Sequence, residues 1–140
     1  MTQNALAYRA TLAYRGAAVA VPPLRAVVLL VGGEITALQK SLEAQEARRF
    51  EEGHEHMMRA TAILRGLSHH LDSRRGGAVA ERMFATYSAL ITACLRAYGR
   101  PQMRRNYLRI IASLTELRDA WSHVDAEQAR SAKTDSAVRG

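Results

Sequence analysis

Five histidines, His54, His56, His69, His70 and His123, are the residues of this 140-residue chain best suited to bind a metal or move a proton. Their spacing works against both. "HEHMM", residues 54 to 58, lacks the HExxH arrangement that puts two imidazoles on one helix face. At 100° per residue, His54 and His56 stand about 200° apart and cannot share an ion. His69 and His70 are adjacent and diverge. Ser68 lies beside His69 and near Asp72, but helical neighbours do not converge as a nucleophile, base and orienting acid must. "SRRGGAVAE", residues 73 to 81, has glycines without phosphate-loop spacing or a preceding strand. No paired carboxylate-and-histidine repeat of the di-iron kind occurs. The motifs therefore point to no enzyme, no metal and no cofactor.

Charge offers another chemistry. Lys and Arg number 20 against 13 Asp and Glu, for a net charge of +7. Such a balance favours nucleic acid, acidic lipid or an acidic protein. Arg100 aligns with Arg104, and Arg105 with Arg109, each at i, i+4, so a phosphate-binding stripe beside Tyr107 is conceivable. Tyr107 belongs to an apolar seam, however, and no nucleic-acid reading module is evident. A solvated basic face, or a docking patch for an acidic protein, is the preferred reading. The single cysteine, Cys94, excludes an internal disulfide and lies on an apolar face, as a small buried hydrophobe would. That fits a reducing, cytoplasmic setting. The apolar stretch from Gly16 to Gly33 is interrupted by Pro22, Pro23 and Arg25, and its unbroken run, Ala26 to Val31, is under about two helical turns. Neither a signal peptide nor a membrane span is expected.

These side chains must be positioned by helices. Tyr107, Ile110, Leu114, Leu117, Trp121 and Val124 recur at intervals of three and four, which places them on one helical stripe. Trp121, the only tryptophan, is then an anchor in a helix–helix seam. A first helix opens at Pro22-Pro23 with a seam of Leu24, Val28, Val31, Ile35, Leu38 and Leu42. A second runs from about Arg48 to Leu71 through Phe50, Met57, Ala60, Leu64, Leu67 and Leu71. A third runs from about Ala78 to Tyr98 through Ala80, Met83, Tyr87, Leu90, Cys94 and Ala97. Asp72 to Gly77 reads as a turn, and Gly99-Arg100-Pro101 stops one helix and starts the next. Short connections force neighbours to run antiparallel. The expected fold is all-α, an up-down-up-down four-helix bundle over residues 22–125. Residues 1–21 form an N-terminal arm, and residues 126–140, without a stripe, a disordered tail.

Helix three carries more apolar surface than one seam requires. Phe84, Ile91, Leu95 and Tyr98 make a second stripe beside the first, widening the apolar arc to about 160°. Deep burial between two neighbours explains this; so does a groove left open for a partner's amphipathic helix.

In order and spacing over about residues 5 to 124, the chain resembles the flagellar secretion chaperone family, FliS. The resemblance is carried by Ala7-Tyr8 in the arm, by Arg59-Ala60-Thr61-Ala62-Ile63-Leu64 with Leu67, and by "LDSRRGGAVAE", residues 71 to 81. Tyr87, Leu95-Arg96-Ala97 and "ELRDAW", residues 116 to 121, complete it. The chain departs from the family pattern at Leu30-Val31-Gly32-Gly33, where an aromatic and an Asp are usual, at Val21 in place of Ser, and in its basic balance. The resemblance implies a cytosolic export chaperone that binds the C-terminal segment of flagellin and prevents its premature polymerisation. Export-gate or flagellar regulatory proteins are further implied partners. Tyr8 and Tyr14 are candidate arm contacts, and Phe84, Tyr87, Ile91 and Leu95 candidate groove residues. The alternative is a helical adaptor or regulatory bundle with another protein client.

Overall fold

The computed structural model describes residues 23–139, with four helices and no strand among them. Helix α1 spans Pro23–Glu46, α2 Phe50–His69, α3 Ser73–Ala97 and α4 Met103–Arg139. Contacts at both ends fix their directions. Arg25 meets Asp125 at 3.7 Å, while Arg104 meets Glu46 at 2.6 Å, so α1 and α4 run antiparallel. Tyr98, just past α3, donates its hydroxyl to the Phe50 carbonyl at the start of α2, 3.2 Å away. Each helix packs on its sequence neighbour and α4 closes back on α1. The fold is the expected antiparallel four-helix bundle.

Its core follows the three-and-four spacing. Leu24, Val31, Ile35, Leu38 and Leu42 of α1 are buried against Met57, Ala60, Leu64 and Leu67 of α2 and against the seams of α3 and α4. Val27 takes the buried place expected for Val28, which packs at the edge. Trp121 is 6% exposed and anchors α4 as its spacing requires. Phe50 departs from expectation. It occupies the first residue of α2, beyond the last layer of the core, and is 51% exposed with the Arg48 guanidinium 5.9 Å above its ring.

A polar layer ties the four helices together near one end. The buried Ser41 hydroxyl of α1 donates to the Gly53 carbonyl of α2 at 2.8 Å and also faces the Tyr107 phenol of α4. Tyr107 in turn donates to the Cys94 carbonyl of α3 at 3.3 Å. Gly53 makes this approach possible, because a Cβ there would lie 3.2 Å from the Ser41 carbonyl oxygen and 3.4 Å from the Gln45 nitrogen.

The connections follow from their residues. The Arg74 N–H donates to the Asp72 carboxylate at 3.1 Å, as to a helix cap, and a single helical turn follows. Gly77 then breaks the helix with φ 53° and ψ −131°, a conformation closed to residues with a side chain. The Asp72 to Gly77 turn is therefore present, with one turn of helix inside it. Gly99, at φ 71°, supplies the left-handed stop after α3.

The disordered tail expected from residue 126 onward is not what the structure shows, since α4 continues to Arg139. Ala129 to Val138 are all exposed, so no packing among the described residues holds them. Alanine, arginine, glutamate, glutamine and lysine suffice for helix without an apolar stripe. The 37 residues of α4 reach about 55 Å, against about 36 Å for the 24 residues of α1.

Candidate functional site

Along the bundle's α3–α4 side the two helices stand apart. On α3, Ala89, Ala93 and Ala97 fall at i, i+4 and i+8 and form a shallow floor. On α4, Asn106, Arg109, Ser113 and Glu116 recur at intervals of three and four and turn a polar face to it. Alanines opposite polar side chains have no large apolar ridges to interdigitate, so the outer half of this seam stays open. The opening is a groove of about 730 Å³ lined by those alanines with Ser88, Thr92, Arg96, Arg100, Asn106, Arg109 and Ile110. It continues from Ala89 into a second hollow of about 500 Å³ lined by Thr86, Leu90, Ser113, Glu116 and Leu117.

The anticipated groove residues are placed differently. Tyr87 is fully buried, so it holds the core together and is not exposed to a partner; its spacing with Met83 and Cys94 outweighs its place beside the second stripe. Ile91 is partly buried and packs against the core. Phe84 and Leu95 are 56% and 46% exposed. At 100° per residue, however, both lie more than about 100° around α3 from Ala89, on the flank toward α2. They are outside the groove, whose lining contains neither. Tyr8 and Tyr14 lie outside the described residues. The groove itself was missed in the sequence, although its alanine spacing and the polar face opposite were both visible there.

Structure also sorts the arginines. Arg104 turns to Glu46 and closes the α1–α4 end, whereas Arg109 and Arg100 converge with Arg96 on the groove. None of these three is in an ion pair among the described residues. The arginines that could have formed one stripe are thus divided between a structural pair and a groove wall.

The histidines are engaged locally. The His54 ring meets Tyr98 edge-on at 5.9 Å, and His56 lies 3.9 Å from Glu52. The His70 Nδ1 sits 2.8 Å from the Gly66 carbonyl, and His123 lies 3.3 Å from Glu127. Among the described residues no three His, Cys, Asp or Glu side chains gather as a metal would require. No described helix is long and apolar enough to cross a membrane.

One acid sits where its residue type argues against it. Glu34 of α1 is fully buried, and neither carboxyl oxygen has a hydrogen-bond partner among the described residues. Loss of water raises its pKa from 4.5 to about 8, so the folded chain holds it neutral at pH 7. Burial, and then the nearby Glu34, push the Cys94 thiol up to about 12. Cys94 is consequently an inert core residue, not a nucleophile. Burial likewise raises the Tyr107 phenol above its ordinary range.

The family model described as "Flagellar protein FliS" matches residues 4–128, spanning all of α1, α2 and α3 and the bundle portion of α4. No curated protein matches the chain.

Proposed function

The chain belongs to the FliS family of flagellar secretion chaperones, and on that premise we propose that it escorts flagellin before export by holding flagellin's C-terminal segment on the open α3–α4 side. The observation that carries this reading is the groove itself, a lengthwise opening between two helices in a family of chaperones. A client segment without structure of its own would gain amphipathic helix by laying an apolar face on the alanine floor. Burial of that face offsets the entropy lost on ordering. The same face, once covered, is withheld from other flagellin molecules, so polymerisation is blocked until release. Work of this kind belongs in the cytoplasm, where flagellin is made. Phe84 and Leu95 offer a separate exposed apolar edge on the α2 side of α3, available to a longer client that wraps beyond the groove.

Size-exclusion chromatography of the chain mixed with flagellin tests the assignment. An equimolar complex is expected, lost when flagellin's C-terminal segment is deleted. A complex indifferent to that deletion would reassign the client contact, and absence of any complex would favour an adaptor for a different protein.

A further inference from the structure

Resting on the chaperone reading, we propose that the α3–α4 groove selects a helical segment bearing carboxylates at one end, docked with that acidic end at the α3–α4 turn. Arg96 and Arg100 lie at the end of α3 and in the turn, and Arg109 faces them from α4. All three line the groove without a carboxylate partner among the described residues. The opposite end contains Glu116 beside Ser113 and Thr86, and no basic residue. Charge is therefore distributed unevenly along the groove, and an occupant has a preferred direction. Its apolar side would meet Ala89, Ala93, Ala97 and Ile110, while Ser88, Thr92 and Asn106 offer hydrogen bonds to its polar edges. From Thr86 to Arg100 the groove runs about 21 Å, enough for about four turns of helix.

Bare phosphate would suit the arginines as well, but a nucleic acid backbone carries charge along its whole length. Such a ligand would bring phosphates against Glu116 and leave the alanine floor unused. An amphipathic peptide uses both the floor and the charged end. Complementary charge of this kind guides encounter and fixes orientation more than it adds raw affinity.

The test is fluorescence titration of the full chain with flagellin's C-terminal segment, at low and high salt. The chain is wild type, or carries Arg96→Glu, Arg100→Glu and Arg109→Glu together, with circular dichroism confirming the unchanged fold of the variant. Reversing three partly exposed charges is expected to weaken binding about 30-fold at low salt, with most of the difference gone at about 0.5 M. A segment with its Asp and Glu changed to Asn and Gln should lose the same factor against wild type and nothing further against the variant. Unchanged affinity in the variant, or a loss independent of salt, overturns the charge assignment while leaving the flagellin client intact. Conversely, a wild-type chain that ignores flagellin's segment but binds a designed alanine-faced helical peptide with glutamates at one end, and not its lysine twin, supports the groove chemistry and removes the flagellin client. Duplex DNA bound with a steeper salt dependence, and not displaced by either peptide, would overturn the peptide assignment.

Discussion

At the α1–α2 seam, Gly53 brings two backbones so close that a single added methyl group would press on the Ser41 carbonyl. At the α3–α4 seam, alanines face Asn106, Arg109, Ser113 and Glu116 across a gap of several hundred Å³. Both seams use small residues, yet with opposite results. In the first, the missing side chain is filled by the neighbouring helix, whose Ser41 hydroxyl reaches back to the Gly53 carbonyl. In the second, a polar face keeps the neighbour from closing in. The difference teaches that α1 carries much of the bundle's cohesion, since its contacts with α2 and α4 are the most extensive in the bundle, while the weaker α3–α4 seam is the one proposed to recognise a partner. Regions that bind clients are drawn from the less stable parts of a fold because they must have surface to spare.

Three substitutions test that division. The largest effect concerns Glu34, a neutral acid inside the well-packed half. Unfolded, it ionises near 4.5; folded, near 8. Between those values the native state holds a proton that the unfolded state releases, so stability falls as pH rises from about 4.5 to 8 and is level beyond. The full span corresponds to roughly 5 kcal/mol at 1.36 kcal/mol per pH unit. Urea denaturation across this range should show the wild type losing that amount relative to Glu34→Gln, whose amide does not titrate. Parallel profiles for the two proteins would show that the acid is not buried as described.

Gly53→Leu comes second. Bulk placed between two touching backbones should cost about 3 kcal/mol by forcing α1 and α2 apart, measured as a lower urea midpoint. A stability within about 0.5 kcal/mol of wild type would mean the seam can slide and is not the rigid half. Ala89→Leu is the matched insertion on the open side, and its effect on stability should be the smallest, within about 0.5 kcal/mol. The new side chain would occupy the groove where its two hollows meet, so capture of flagellin's segment should weaken about tenfold in titration. Equal destabilisation by Gly53→Leu and Ala89→Leu would erase the contrast between the seams.

Much of the bundle was legible because helical burial leaves a periodic record. Leu24, Val31 and Leu38 on α1, or Tyr107, Leu114 and Trp121 on α4, repeat as a buried stripe must, and Gly-Gly and Gly-Arg-Pro mark the turns. Glu34 was not legible. It sits three residues after Val31 and four before Leu38, on the buried side, but its type argues for solvent and only the assembled core shows otherwise. The continuation of α4 over residues 129–138 leaves no stripe because these residues are all exposed. The α3–α4 opening was not legible, for a different reason. An apolar arc belongs to one helix and can be counted, whereas an opening is a property of two helices that fail to mesh. Phe84 and Leu95 stand out in a sequence by being apolar, whereas Ala89 and Ala93, which shape this opening, are too small to do so.

The length of α4 has a practical result. About fourteen residues past its Asp125 contact with Arg25, the helix ends roughly 20 Å beyond the body of the protein, at the end remote from the arginines. It is a ready-made handle. A dye or surface tether fixed near Ser136 would stand clear of the proposed client groove, so single molecules could be held by that stalk while binding is measured.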